Sequence, residues 1–503
     1  MHRCLKILEI VDAVCVHLNS PDPLLLSSRH LSAVARTCTT FSGPALDHLW
    51  SVAPLEQLLI YCMPSDLWAL ERFNDFETIY SCGPGYVYKT WLPSEALSGL
   101  SVSLPKGLFQ NPQTLTWKHE EAEFHHIKLF LRPTLTDISI GLPSLSAVSL
   151  LSTLAAECPK IATVYIDSSA SHYTPHISDF IQEVQSPERV SVYSLTQDVL
   201  EHLSRLPTLL SLGLQTLPPT LQASPAQETN GFTSLSTLLL GHPGIRPTTE
   251  LLGLCSAAPL TKFRASFVGF VTATEMHELF VAMAAGFSHP TLQHLCLDTG
   301  NGEQESDPAT LPIPHHFLRP LLSFNNLALL SVVAPVGFDL DNDAVSDVAR
   351  ALPHIVTFKL LARFLTETPR TTLGCLHSFA QYCPQLESLS IALDATNAPT
   401  VDLDRRSQSD ILHQGLRVLN VANSPISNAI SVARFLSLVF PKIRSLVTQR
   451  EYSNNDEDDE EVMLEHAVAI AHHKCWKEVD ALLPHVLGIR EEGRALERAE
   501  SAA

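Results

Sequence analysis

Positive charge is scarce in this sequence of 503 residues. It has 33 Lys and Arg against 53 Asp and Glu, which gives a formal net charge of −20, and its charged fraction is 17%, where about 25% is usual. No local basic stripe compensates, so the chain has no electrostatic footprint for phosphates and nucleic acid is not expected as a partner. The hydrophobic fraction of 45% is typical of folded proteins and excludes general disorder.

Long uninterrupted apolar segments are also missing. Four charged residues divide the apolar stretch at positions 1–18, so it has no signal-peptide core: Arg3, Lys6, Glu9 and Asp12. The longest uncharged run, 138–156, contains serines, threonine, glycine and proline, which makes it poor material for a bilayer span. We therefore expect no membrane segment and a location in the cytoplasm or nucleus.

Motifs that carry chemistry are few. The 11 cysteines are scattered without a CxxC pair, as expected for reduced thiols. No P-loop, GxSxG or GxGxxG occurs, and the tandem histidine pairs have no second ligand pair at metal spacing. We predict no enzyme activity, metal or cofactor. The alternative to this prediction is an enzyme that uses His472 or Cys475 in the stretch HHKCW.

Leucine, by contrast, is abundant, with 79 residues, and much of it falls in one recurring phrase. The phrase has apolar residues at its positions 1, 4 and 6, and its starts lie 19–35 residues apart. The twelve starts are Leu135, Ile161, Val190, Leu209, Leu235, Leu260, Leu292, Leu327, Ile355, Leu386, Leu416 and Ile443.

A helix-period apolar segment that ends in proline precedes many of these phrases. Examples are LLSTLAAECPK before Ile161 and CLHSFAQYCPQ before Leu386. A unit of one short strand and one helix cannot bury its own apolar face, whereas stacked units form a parallel sheet backed by helices. The predicted fold is therefore α/β, a leucine-rich repeat solenoid with strands on its concave side and helices on its convex side. The segments 76–81 and 114–119 are candidates for degenerate first turns.

The strand residues between the leucines point to the concave face, because side chains alternate along a strand. Eleven strand steps give a face of roughly 50 Å, which suits a folded protein or a long peptide. The alternative is a solvated face without a ligand. The candidate target-binding residues are Asp137, Tyr165, Asp167, Gln215, Lys262, Arg264, His294, Asp298, Lys359 and Asn420.

The first fifty residues lack the strand phrase and predict three short helices, in CLKILEIVDAVCVHL, HLSAVARTCTTF and GPALDHLW. This segment resembles an F-box, the adaptor-docking module of cullin-type ubiquitin ligases, in the divergent form of fungal F-box-like proteins. Leu8 stands where an F-box usually has proline. By this resemblance, seven apolar residues contribute to the adaptor surface or to the core behind it: Ile7, Leu8, Ile10, Val14, Leu31, Val34 and Phe41.

The resemblance implies a substrate-recognition subunit that binds a Skp-type adaptor, and through it a cullin ligase, at the head and an unknown target protein along the repeats. The alternative is a non-ligase interaction scaffold in which the head only caps the solenoid. The predicted organisation is a head at 1–50, a linker with degenerate repeats at 51–134, the solenoid at 135–450, an acidic linker at 451–461 and a C-terminal helical cap at 462–503.

Overall fold

The computed structural model describes most of the chain in two units, Met1–Tyr193 and Ser194–Ala503. The described residues are 11–15, 31, 33–51, 98, 112–117, 124–168, 171–218, 221, 231–256, 258–269, 271–287, 290–299, 311–363, 368–399, 413–448 and 460–502.

The first unit holds four parallel strands, hydrogen-bonded in chain order. They are β1 (Thr114–Trp117), β2 (Asp137–Gly141), β3 (Thr163–Asp167) and β4 (Arg189–Val192). β1 lies within one of the two candidate early turns, 114–119, while the other, at 76–81, lies outside the described residues. The α-helices of this unit are α1 (Thr39–Ser51), α2 (Leu145–Val148), α3 (Leu150–Glu157) and α4 (Thr174–Glu183).

The second unit holds nine further parallel strands in chain order, and between two of them a separate pair of short parallel strands, β9 and β11. Its strands are β5 (Ser211–Leu214), β6 (Thr237–Leu240), β7 (Lys262–Phe267), β8 (His294–Thr299), β9 (Ile313–Pro314), β10 (Leu329–Ala334), β11 (Phe338–Asp339), β12 (Thr357–Ala362), β13 (Ser388–Ile391), β14 (Val418–Asn420) and β15 (Ser445–Val447).

Helices alternate with the strands of the second unit. Its α-helices are α5 (Gln197–Ser204), α6 (Ile245–Leu254), α7 (Ala273–Gly286), α8 (Asn342–Ala351), α9 (Leu376–Tyr382), α10 (Ala429–Val439) and α11 (Glu460–Ala502). Several neighbours among them contact one another, namely α6 with α7, α8 with α9, α9 with α10 and α10 with α11. The chain is thus α/β, with parallel strands and intervening helices, an arrangement compatible with a solenoid. Within the described part of the chain, no helix combines the length and apolarity that a membrane crossing requires.

The apolar positions of the phrase form the core. Around β13, for example, Leu386 before the strand and Leu389 within it are fully buried, and Ile391 is 2% exposed. Phe358 of β12 pairs in register with Leu389, so equivalent positions of neighbouring strands carry the buried apolar residues. Apolar burial of this kind is the main source of stability, and the slots at positions 1, 4 and 6 were predicted from the sequence.

One predicted register is wrong. Val190 pairs with Val164 of β3, so it occupies the fourth position of the phrase rather than the first. Val190 and Val192 are buried, whereas Arg189 is exposed. Buried residues on a strand recur every second position, so Val190 and Val192 also fit positions 4 and 6 of a phrase that begins at residue 187. Sequence alone did not distinguish this register from the one that begins at Val190.

The helices end as their Cys-Pro pairs predict. After α9, the N–H of Cys383 donates to the carbonyl of Phe379 and closes the last turn, and Pro384 cannot continue the helix. The thiol of Cys383 lies 3.4 Å from the carbonyl oxygen of Ala349, and burial raises its pKa to about 12. This cysteine is therefore a protonated core residue that also serves as a helix stop.

A single long helix, α11, covers the end of the sheet, where several helices were predicted. It begins at Glu460, inside the segment that the sequence assigns to an acidic linker. The buried indole of Trp476 donates to the carbonyl of Ser424 at 2.8 Å, and the carboxylate of Asp480 accepts from the N–H of Leu446 on β15 at 3.2 Å. α11 thereby satisfies a backbone donor of β15, the last strand among the described residues.

Candidate interaction surfaces

The described residues of the head form a small helical core. Val11, Cys15, Leu31 and Ala45 are buried together, and Val34, Ala35 and Phe41 pack against them. This cluster joins residues from all three predicted helices. Such a core of about 45 residues is marginal by itself.

The predicted adaptor residues divide into different environments. Leu31 is 1% exposed and belongs to the core, whereas Val14 is 37% exposed. Val34 and Phe41 are partly buried against the core, and Ile7, Leu8 and Ile10 lie outside the described residues. Sequence reasoning did not assign Leu46 of α1 to a surface, but it is 38% exposed. Val14 and Leu46 are therefore the large apolar side chains that are exposed among the described residues of the head.

The open face of the sheet is the side formed by strand residues that do not enter the core. In the first unit it carries two aspartates, a tyrosine and the exposed Arg189. Register pairs Ser139 with Tyr165 and Gly141 with Asp167 on the adjacent strand. Tyr165 is 39% exposed, and partial burial followed by the charge of Asp167 raises the pKa of its phenol. Asp137 lies at the start of β2 and accepts a hydrogen bond from the hydroxyl of Thr136 at 2.7 Å.

The open face of the second unit is basic over strands β7, β8 and β12. Lys262, Arg264 and His294 are exposed there, and Lys359 is partly exposed. We call these four residues the basic patch. None of them forms an ion pair with another described residue. In a chain with a net charge of −20, this is a local reversal of sign.

Cys296 lies among the cations of this patch. Register pairs it with Arg264 on one side and with Ser331 on the other, and Ser331 pairs in turn with Lys359. Burial raises the pKa of the Cys296 thiol, while the three neighbouring cations oppose that shift. The thiol stays neutral, and the charge at the centre of the patch is that of the lysines and the arginine.

The remaining candidate target residues have local partners. Asp298 accepts from Arg363 at 3.0 Å at the carboxyl end of β8. The side-chain oxygen of Asn420 accepts from the N–H of Ala422 at 2.9 Å and holds a turn in which Ala422 has φ of 48°. The side chain of Gln215 lies directly over Gly241, where a Cβ would collide with it. These three residues shape the rim of the face.

A cleft of about 610 Å³ opens beside the carboxyl ends of β12 and β13. Phe317, Phe338 and Leu340 line it, and Arg370 at its edge forms an ion pair with Asp339 at 3.1 Å. The pairing of β9 with β11 builds one wall. Sequence reasoning missed this cleft, because a two-residue strand has no periodicity to detect.

The histidine and cysteine of the HHKCW stretch have structural environments. The Nδ1 atom of His472 lies 3.1 Å from the nitrogen and 3.0 Å from the oxygen of Ile426. Burial, and after it the charge of Glu478, raises the pKa of the Cys475 thiol, which works against a thiolate nucleophile. Among the described residues, no three His, Cys, Asp or Glu side chains converge as a metal site would require.

Comparison with known proteins leaves the family open. No protein-family model matches the chain, and no curated protein matches it. The crystal structure of the yeast Rad7 and Elc1 complex contains a chain that is similar at 13% identity over 72% of this chain and 85% of that chain, with a TM-score of 0.36. A likeness of this size does not establish a shared fold.

Proposed function

We propose that this protein is the substrate-recognition subunit of a cullin-type ubiquitin ligase. Its head is an F-box-like module that binds a Skp-type adaptor, and the adaptor connects it to the cullin in the cytoplasm or nucleus. Its strands and helices are a leucine-rich repeat solenoid whose open face binds a target protein. The protein carries no chemistry of its own and acts by holding two partners together.

The observation that carries the proposal is the small helical core before the strands. Its residues come from the three segments that resemble an F-box, in the same order, and they pack into one cluster. Val14 and Leu46 remain exposed on it. Exposed apolar side chains on a marginal core are typical of a small module that buries them, and gains stability, when it binds a partner.

The second support is the contrast between the two faces of the strands. The buried face repeats leucine and similar residues, while the open face varies from strand to strand. A long and chemically varied sheet face suits recognition of a protein segment.

A non-ligase scaffold is the second candidate function, and Leu8 favours it. F-boxes usually have proline at this place, and proline fixes the backbone that enters the helix. In a scaffold without this proline, the head does not bind an adaptor and only caps the solenoid. The two functions differ in one measurable property, which is adaptor binding.

The experiment is co-expression of the full chain with a Skp-type adaptor, followed by size-exclusion chromatography. We expect a stable one-to-one complex. The double substitution Val14→Asp and Leu46→Asp places charge on the exposed apolar surface and should weaken the complex at least ten-fold. Ile430→Asp is the matched control, because Ile430 is a 71% exposed apolar residue on α10, and it should leave the complex intact.

The wild-type chain must bind the adaptor for the proposal to hold. If the wild type fails and Leu8→Pro restores binding, the receptor function is wrong for this chain and the head is a degenerate F-box. If neither protein binds, the scaffold is the better account.

A further inference from the structure

The basic patch is positively charged, whereas the chain as a whole has a net charge of −20. At the two outward positions of each main strand from β5 to β15, the described residues include no carboxylate. The nearest acid on the face is Asp298 at the end of β8, and it is engaged with Arg363. Lys262, Arg264 and Lys359 therefore present positive charge that no described carboxylate neutralises.

The spacing of these cations is set by the sheet. Arg264 and Lys359 lie in one register row, separated by β8 and β10. Three strand steps correspond to about 14 Å, and Lys262 lies about 6.6 Å from Arg264 along β7. An extended peptide advances about 3.3 Å per residue. Alternate side chains of a peptide that crosses along this row lie on one side of it, and those at i and i+4, about 13 Å apart, match Arg264 and Lys359. Lys262 lies beside the row, next to Arg264.

The surface between the cations is formed by small side chains. Cys296 and Ser331 are the residues in the row between Arg264 and Lys359, and both side chains are small. A peptide backbone can therefore cross the strands here without meeting a bulky group. Leu329, which pairs with His294, adds apolar surface beside the row.

The separation of the cations distinguishes carboxylates from phosphate. A phosphate group concentrates up to two charges on one site and is best bound where arginines converge. Here a single arginine and two lysines are spread over about 14 Å, which suits several single charges on one segment. Exposed pairs of this type are individually weak, so recognition requires several together.

We propose that the basic patch binds an extended segment of the target protein that carries aspartate or glutamate at alternate positions. This inference names the target class of the proposed function and rests on it for its biological meaning. Binding of the segment itself does not require the adaptor, so the two proposals can fail separately.

The test uses the full chain and a fluorescein-labelled peptide with glutamate at alternate positions, followed by fluorescence anisotropy. Two peptides of the same length serve as controls, one with glutamine in place of glutamate and one with a single phosphoserine. We expect binding of the glutamate peptide that weakens as salt rises from about 50 to 200 mM. The double substitution Arg264→Glu and Lys359→Glu should reduce the affinity at least ten-fold.

The matched control is Arg434→Glu with Lys442→Glu, since both residues are exposed cations of the second unit outside the open face. This control makes the same change in net charge and should alter the affinity less than two-fold. All variants should keep the thermal unfolding midpoint of the wild type and should co-purify with the adaptor as the wild type does.

Three results would overturn the inference. They are equal binding of the glutamine peptide, equal loss in the two double variants, and tighter binding of the phosphoserine peptide. Glutamate-peptide binding without adaptor binding would instead uphold the patch and reject the ligase function.

Discussion

The two faces of the same strands follow different rules. On β12, Phe358 and Leu360 are buried, while Thr357 and Lys359 alternate with them on the open face. Buried positions repeat from strand to strand because each must fill the slot left by its neighbour. Open positions differ from strand to strand, and include Asp137, Tyr165, Asp167 and Arg189 in the first unit and the basic patch in the second. The buried face thus determines the fold, and the open face determines what is bound.

The largest test of this comparison is Phe358→Ala. Phe358 is 1% exposed and its ring lies 5.0 Å from that of Phe379 on α9, so its removal leaves a cavity between sheet and helix. We expect a loss of about 3–5 kcal/mol in the free energy of unfolding. Urea unfolding followed by circular dichroism measures it. Lys359→Ala on the same strand should change stability by less than about 0.5 kcal/mol, and similar losses for the two would erase the distinction between the faces.

A smaller effect is expected where the buried face holds a polar residue, His413. Its Nδ1 accepts from the N–H groups of Leu416 and Gly415 at 3.1 and 3.3 Å, and its Nε2 donates to the carbonyl of Cys383 at 2.8 Å. His413→Ala leaves these groups unsatisfied and should cost about 2–4 kcal/mol at pH 7.5.

This cost depends on pH. Burial lowers the pKa of His413, only partly opposed by its bond to Cys383. A depressed histidine pKa means that the unfolded chain binds a proton more readily than the folded chain. The stability that neutral His413 contributes is therefore present above its unfolded pKa of about 6.5 and declines as pH falls below it. The difference between wild type and His413→Ala should narrow from pH 7.5 to 5.5, and a constant difference would contradict this.

The smallest effect concerns the end of the buried face. Trp476→Phe keeps most of the apolar volume on α11 and removes the hydrogen bond to Ser424. We expect a loss of about 1–2 kcal/mol, measured by the same urea titration. A loss as large as that of Phe358→Ala would mean that the end of the sheet depends on α11 as much as its middle depends on the core.

The buried face could be predicted from the sequence because its pattern is redundant. Leu386, Leu389 and Ile391 repeat a spacing found in eleven correctly placed phrases. The failure at Val190 arose where the apolar residues recur every second position. His413 went unnoticed because it replaces an apolar side chain. It stands three residues before Leu416, as buried Cys383 stands before Leu386 and buried Phe440 before Ile443.

The open face could be predicted only in part. Lys262, Arg264, His294 and Lys359 were selected by their outward positions, and adjacent phrases proved to be adjacent strands. The sequence did not reveal that Asp298 is engaged by Arg363, which is 65 residues away in the chain. This long-range pair is what leaves the basic patch without a neighbouring acid. The cleft beside β9 and β11 likewise depends on a pairing that has no periodic pattern.

The central claim is that one chain holds an adaptor and a target segment at the same time. The most direct measurement is sedimentation velocity of the labelled alternating-glutamate peptide with the full chain, before and after addition of the Skp-type adaptor. The account predicts that the peptide sediments with the chain and then moves to a faster boundary that contains all three components. An unchanged boundary, or release of the peptide when the adaptor is added, would contradict it.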